Sequence, residues 1–455
     1  MRREKSYAGI ISLIVLLAFI SGAFFIYSSK MFERNKPQII IKNEIYWNLK
    51  QPLTILLKDD SGIKFVNASL SDGKNSIIVA NKVYKNPPLS TKFLIKAPNT
   101  SFIYKKDRFK LTIETIDTSK WNFFSGNNAK KTIDIIIDKK RPELYTINSS
   151  YGIRKGGSAL VVFKANDENM KELYIKTPFG KKFYPTPFYK KGYYISLLAW
   201  PIKEKKFRAD IVAVDKAGNT SRAHVALYIK PQKYRKSIIK LSDNFLNGKV
   251  ANFIEEVVPK LSGKTPLEQF IYINQTVRKK NEDLIHQISS KTDDTLIKKF
   301  YLKPFYPLKN SARVASFGDY RTYLYKGQKV SNSYHLGVDL ASTKMAKIKS
   351  SNKGEVVFAH FNGIYGNNII IYHGLGLYSL YGHCSSFLVQ KDDMVKRGQI
   401  IAKTGKTGMA LGDHLHFGIL IQGVEVFPRE WMDKHWMKVN IFNVMKDAKK
   451  IIDQK

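Results

Sequence analysis

The 455-residue chain carries 76 Lys and Arg against 37 Asp and Glu, a formal net charge of +39, and 44% of its residues are hydrophobic, enough for several cored domains. Its lysines are spread along the whole length, with no arginine-rich helix and no zinc-finger spacing. That pattern excludes a dedicated nucleic-acid reader and leaves an anionic membrane surface or cell-wall polymer as the match for the charge.

Arg2, Arg3 and Lys5 precede Ala8 to Tyr27, a run with no charged residue and about the length that crosses a ~30 Å hydrocarbon core. Ser21-Gly22-Ala23 offers small residues for signal-peptide cleavage, but the apolar run continues through Phe24, Phe25 and Ile26, which favours an uncleaved anchor. Basic residues ahead of the run place the N-terminus in the cytoplasm. The expected location is the cell membrane, crossed once, with the bulk of the chain in the periplasm or extracytoplasmic space. Residues 1–36 are assigned to this tip and signal-anchor helix, with the span at about 8–27. A single cysteine, Cys384, rules out an intramolecular disulfide, which a large-cored exported protein can do without.

From Pro37 to Pro231 short alternating segments are broken by turn residues. Leu53 to Leu57, Phe109 to Ile116 and Ile133 to Ile137 read as strands, and so do Leu160 to Phe163, Tyr193 to Leu198 and Phe207 to Val214. The two sets end alike, and Asp215-Lys216-Ala217-Gly218-Asn219 resembles the turn of bacterial immunoglobulin-like repeats. Two Ig-like β-sandwich modules are therefore expected, at 37–140 and 141–232, serving as a spacer or as a wall-binding stalk.

Between Tyr234 and Lys299 the period turns helical: Ile238-Ile239, Leu241, Phe245-Leu246, Val250, Phe253-Ile254 and Val257-Val258 recur at helix spacing, and Thr265-Pro266-Leu267-Glu268 is a helix start. A helical connector or lid is expected at 233–300. Residues 301–437 form the next domain, and 438–455 a basic, partly amphipathic tail.

Seven of the nine histidines fall between His335 and His435. Imidazole and carboxylate are the usual ligands of zinc, and a catalytic zinc keeps three protein ligands and an open position. His414 and His416 are one residue apart, so on a strand both leave by one face while Leu415 and Phe417 enter a core. His335 and Asp339 lie in a strand-like pattern that a turn at Gly337 bends, so that both reach one ion with His416 as the third ligand. The helical signature H-E-x-x-H is absent, making this a sheet-built site. Zinc lowers the pKa of a bound water from ~15.7 towards ~7 and polarises a carbonyl. With no glutamate base near these motifs, His383 and His414 are the candidates to orient that water or stabilise an oxyanion. His224, His286, His360 and His435 read as ordinary surface or core residues, His373 as structural, and Cys384 as a packed apolar position.

The ordered set His335-Leu336-Gly337-Val338-Asp339, Tyr381-Gly382-His383 and His414-Leu415-His416-Phe417 resembles the lysostaphin-type (LytM-type) zinc metallopeptidases that cut peptidoglycan cross-links. Phe317-Gly318 with Arg321, Tyr365-Gly366-Asn367, Gly398-Gln399-Ile400 and Thr404-Gly405-Lys406-Thr407-Gly408 extend the resemblance over roughly Ser311 to Asp433. It implies a compact antiparallel β catalytic domain, one Zn2+ per chain held by His335, Asp339 and His416, and catalytic roles for His383 and His414. It further implies peptidoglycan stem peptides as substrate, with cell wall machinery proteins as further partners. Departures from the family pattern include an extra residue before Arg321, Lys344-Met345-Ala346 in place of a Gly-x-Pro turn, Cys384 after Tyr-Gly-His and Gly418 after His414 to Phe417. They bear on substrate preference and remove no ligand. Rival readings are a non-catalytic regulator that activates cell wall amidases, a membrane-to-wall scaffold, and a zinc protease acting on proteins.

Overall fold

A computed structural model describes residues 7–104 and 106–454. The basic tip read at Arg2, Arg3 and Lys5 lies outside the described residues. The fold is mainly β behind an N-terminal apolar helix, and the chain divides into two compact units, Met1–Arg141 with Val214–Thr220, and Pro142–Ala213 with Ser221–Lys455.

The first unit begins with the helix Ala8–Ser28, whose mean hydropathy of 2.6 and 21 residues make it long and apolar enough to cross a membrane; none of it is buried. A three-stranded sheet (Gln38–Ile40, Leu53–Lys58, Ser90–Ile95) and a five-stranded sheet built around Ile63–Ser71, Arg108–Asp117 and Asn128–Ile137 follow. Period-2 alternation explains their packing: Leu53, Ile55 and Leu57 point into a common core with Val66, Leu111 and Ile135, while Thr54 and Lys58 face solvent.

In the second unit an eight-stranded sheet positions the histidine-rich motifs. In chain order its strands are β1 (Ala312–Ala315), β2 (Val338–Ala341), β3 (Gly354–Phe361), β4 (Asn367–Tyr372), β5 (Leu377–Cys384), β6 (Met394–Val395), β7 (Leu415–Ile421) and β8 (Val424–Val426), arranged β1-β2-β7-β5-β4-β3-β6 with β8 also on β7. The named pairings within it are antiparallel. Every residue of β5 and β7 is buried, because both faces of the sheet are covered. Leu415, Phe417, Ile419 and Ile421 pack with Ile369, Ile371, Leu160 and Ile195, whereas Leu420, Leu380, Tyr378 and Ile370 pack with the helical residues Phe253, Phe270, Ile273 and Ile285. Alternate side chains thus enter two different cores. A four-stranded sheet through Ser158–Asn166 and Tyr193–Ala199 supplies the first of these covers.

Two expectations are corrected. Ile238 and Ile239 belong to a strand, Lys236–Lys240, paired in parallel with Tyr320–Tyr325, so the helical segment begins only at Asp243. Short apolar runs fit both periods, and the hydrogen-bonding partner decided between them. The region read as a basic tail ends in the helix Asn443–Asp453, whose Val444, Met445, Ala448 and Ile452 are buried in the shared core, while Asn148 Nδ2 donates to Val444 O. The predicted start at Thr265 is present as a capping box with Glu268, whose carboxyl is lowered chiefly by its hydrogen bonds from Thr265.

Candidate metal centre

Strand register brings the motifs together. Asp339 on β2 stands directly opposite His416 on β7, and His416 in turn stands opposite Gly382 on β5, the neighbour of His383. His335 closes the group from the turn before β2, held by His335 N donating to Asp319 O and Gly318 N donating to His335 O. His335 Nε2, Asp339 Oδ1 and His416 Nδ1 converge, with Nε2 3.0 Å from Oδ1 and 3.1 Å from Nδ1, and Nδ1 2.9 Å from Oδ1. Ligands of a tetrahedral zinc at 2.0–2.1 Å stand about 3.3 Å apart, so this donor set fits a single small cation.

The tautomers fit as well. His335 Nδ1 lies 2.9 Å from Ser316 O, a carbonyl that can only accept, so the proton sits on Nδ1 and Nε2 presents a lone pair to the centre. Burial works to raise the Asp339 carboxyl, but the flanking His335 and His416 imidazoles outweigh it and hold the group well below the usual carboxylate range, so Asp339 is the anionic member of the trio. Burial likewise lowers His416, against the pull of Asp339. Both shifts favour the unprotonated forms that a metal requires.

His383 and His414 stand beside this trio, their rings 4.8 Å apart, with His383 5.9 Å from the His416 ring. Each donates from Nδ1 to a carbonyl, His383 to Thr407 O at 2.9 Å and His414 to Gly412 O at 2.8 Å, which leaves Nε2 of each as an acceptor. Nε2 of His414 is 3.8 Å from Asp339 Oδ1. Burial, reinforced by His414 and His416, pushes His383 down to about 3, so it is neutral near pH 7. His383 has a left-handed φ of +62°, a conformation rare for a non-glycine residue, inside β5. That twist, which strand alternation does not foresee, turns its ring to the groove.

All five residues line one groove of about 660 Å³, whose walls also include Arg235, Arg278, Arg321 and Tyr365. Arg321 reaches Asp319 at 3.5 Å and Asp339 at 4.0 Å. Arg235 and Arg278 were not singled out from the sequence. Arg278 comes from the helical segment, and only the packing of that segment on the sheet shows which of its polar residues face the groove. His373 is not in the groove; it bonds to Lys353 O and Ser379 Oγ, and burial lowers it to about 4. His286 pairs with Glu425 elsewhere, and burial pushes the Cys384 thiol up to about 12.

Residues 333–428 match the family model of Peptidase family M23. The chain carries a peptidase M23 (LytM-type) domain. Over 94 residues it is 36% identical to the DD-carboxypeptidase/endopeptidase Mpg of Neisseria meningitidis serogroup B, a match covering 21% of this chain and 22% of that protein. Over 167 residues it is 30% identical to the peptidoglycan DD-endopeptidase ShyA of Vibrio cholerae, covering 36% and 37%. Over 98 residues it is 39% identical to the murein hydrolase activator NlpD of Salmonella dublin, covering 21% and 26%. The chain thus spans 22% to 37% of the length of these curated relatives.

One glycine of the M23 domain is fixed by the centre. A Cβ on Gly337 would meet His416 Cε1 and Nε2 at 2.6 Å and Phe417 O at 2.7 Å. Gly337→Ala is therefore expected to displace the His416 ring and weaken metal binding by about tenfold or more, the scale on which perturbed ligand orientation acts. Competition with a zinc chelator measures this, and unchanged affinity would contradict it.

Proposed function

We propose that this protein is a membrane-anchored, exported zinc endopeptidase that hydrolyses the peptide cross-links of peptidoglycan, with its M23 domain facing the wall. The observation that carries the reading is the convergence of His335, Asp339 and His416 at about 3 Å in an open groove that also holds His383 and His414. His335, Asp339 and His416 would hold a zinc ion, which would supply a water acidic enough to act as nucleophile near neutral pH and would polarise the scissile carbonyl. His383 and His414, each with Nε2 free to accept, are placed to take the water's proton, and the imidazolium so formed can then donate that proton to the tetrahedral oxyanion or the leaving amine. Arg235, Arg278 and Arg321 give the groove wall a positive character suited to the free carboxylates of stem peptides. The apolar helix Ala8–Ser28 serves as the anchor.

The similarity to a murein hydrolase activator favours one second reading, a non-catalytic regulator. Digestion of purified peptidoglycan by the full-length protein in detergent micelles, followed by mass spectrometry, separates the two. The endopeptidase reading expects cross-linked dimers to become monomers, cleavage to stop with a chelator, and zinc to restore it. Dimers left intact with zinc present would overturn it in favour of the regulator.

A further inference from the structure

The first unit contains a second cluster of potential ligands, unrelated to the histidine site. Carboxylate oxygens of Glu33, Asp59 and Asp117 all lie within 4.8 Å of one another. Clusters of acidic residues are common on protein surfaces, but this one is built into the fold. Asp117 is 1% exposed and Asp59 8%. Each aspartate is oriented by its backbone: Asp59 Oδ1 accepts from Ser61 N at 2.9 Å and Gly62 N at 2.8 Å, and Asp117 Oδ1 from Ser119 N at 2.9 Å and Asn127 N at 2.8 Å.

Two further oxygens are left over. Asp59 Oδ2 and Glu33 Oε2 are buried from solvent, and neither has a hydrogen-bond partner among the described residues. A buried carboxylate oxygen that no donor reaches costs several kcal/mol, so such atoms ordinarily face a cation, a proton or an ordered water. The charges acting on Glu33 are all of one sign. After burial itself, Asp59, Asp117 and Asp60 push its carboxyl up, opposed by the backbone N–H of Asn35. The cluster concentrates negative charge in a chain of net charge +39, with Lys36 and Lys58 on the cavity beside Asp59 and Asp60.

We propose that Glu33, Asp59 and Asp117 bind a calcium ion that clamps the segment leaving the N-terminal helix onto the first β-sandwich. The ligands are all oxygen, with no nitrogen or sulfur, which selects a hard cation over zinc. Opposite ligands of calcium, at 2.3–2.6 Å from the ion, stand about 4.6–5.2 Å apart, a span these oxygens accommodate. Glu33 lies just beyond the helix Ala8–Ser28 and the turn Lys30–Phe32, whereas Asp59 and Asp117 belong to the sandwich. The same junction is already tied by Lys120 N donating to Met31 O at 2.7 Å and Asn127 Nδ2 donating to Glu33 O at 2.8 Å. Calcium adds the one bond there that responds to the medium outside the membrane, so it sets how stiffly the anchor carries the first unit.

The test is equilibrium dialysis of zinc-saturated, full-length protein in detergent micelles against radioactive calcium, with millimolar magnesium present. The wild type is expected to bind with a dissociation constant of roughly 10⁻⁴ to 10⁻³ M, the range of extracellular calcium modules. Glu33→Gln and Asp59→Asn each keep the size of the side chain and an acceptor oxygen, and each is expected to bind one calcium fewer per chain. Calcium is also expected to raise the thermal unfolding midpoint of the wild type by a few degrees and to leave that of Glu33→Gln unmoved. Absence of calcium binding by the wild type would overturn the proposal. So would equal binding by the wild type and a folded variant, with circular dichroism confirming the fold.

Discussion

His416→Ala is expected to leave the protein without bound metal and to lower cleavage of cross-linked peptidoglycan by about a thousandfold or more. His416 Nδ1 closes the donor triangle, 2.9 Å from Asp339 Oδ1 and 3.1 Å from His335 Nε2. Without it only one imidazole and one carboxylate remain, below the three protein ligands that a catalytic zinc keeps. The loss is specific to the site. Residue 416 is the second residue of β7, whose backbone pairing to β2 and β5 does not depend on the side chain, and its neighbours Leu415 and Phe417 still fill the opposite core. Elemental analysis should show less than a tenth of the wild-type zinc in a protein with an unchanged circular dichroism spectrum. Zinc retained at one per chain would remove His416 from the ligand set.

His383→Ala separates chemistry from metal binding. The ring lies beside the donor triangle without belonging to it, and its Nδ1–H is committed to Thr407 O. Its removal should therefore leave zinc content at the wild-type level. Loss of a positioned proton acceptor costs about 10²- to 10⁴-fold. That loss is expected in kcat with KM nearly constant, because the groove walls formed by Arg235, Arg278 and Arg321 are untouched. Equal zinc content with full activity would mean that His383 is a structural neighbour and that His414 acts without it.

The shared face of His414 and His416 was legible in the sequence because strands repeat every two residues. One intervening residue between His414 and His416 put both on one face, and the buried Leu415 and Phe417 on the other confirm that register. The spacing of His335 and Asp339 around Gly337 was equally readable, since only a turn there lets both meet His416. Long-range pairing was not readable. Ile238 and Ile239 fit a helix or a strand, and their partner strand Tyr320–Tyr325 lies some eighty residues on, beyond the reach of any local pattern. The helix Asn443–Asp453 has a basic face suggestive of a free tail, but its apolar face has a remote partner in Ser158–Asn166. The positive φ of His383 is also a product of tertiary packing, as is the arrival of Arg278 at the groove.

The requirement of hydrolysis for one metal ion held by His335, Asp339 and His416 is the decisive part of the proposed function. It is tested most directly by stripping full-length protein in detergent with a chelator, then adding zinc back in fractions of an equivalent and following cleavage of a purified cross-linked dimer. Cleavage that starts near zero and saturates at one zinc per chain is the predicted result. Full cleavage by the stripped protein, or an intact dimer after one equivalent has bound, would contradict it.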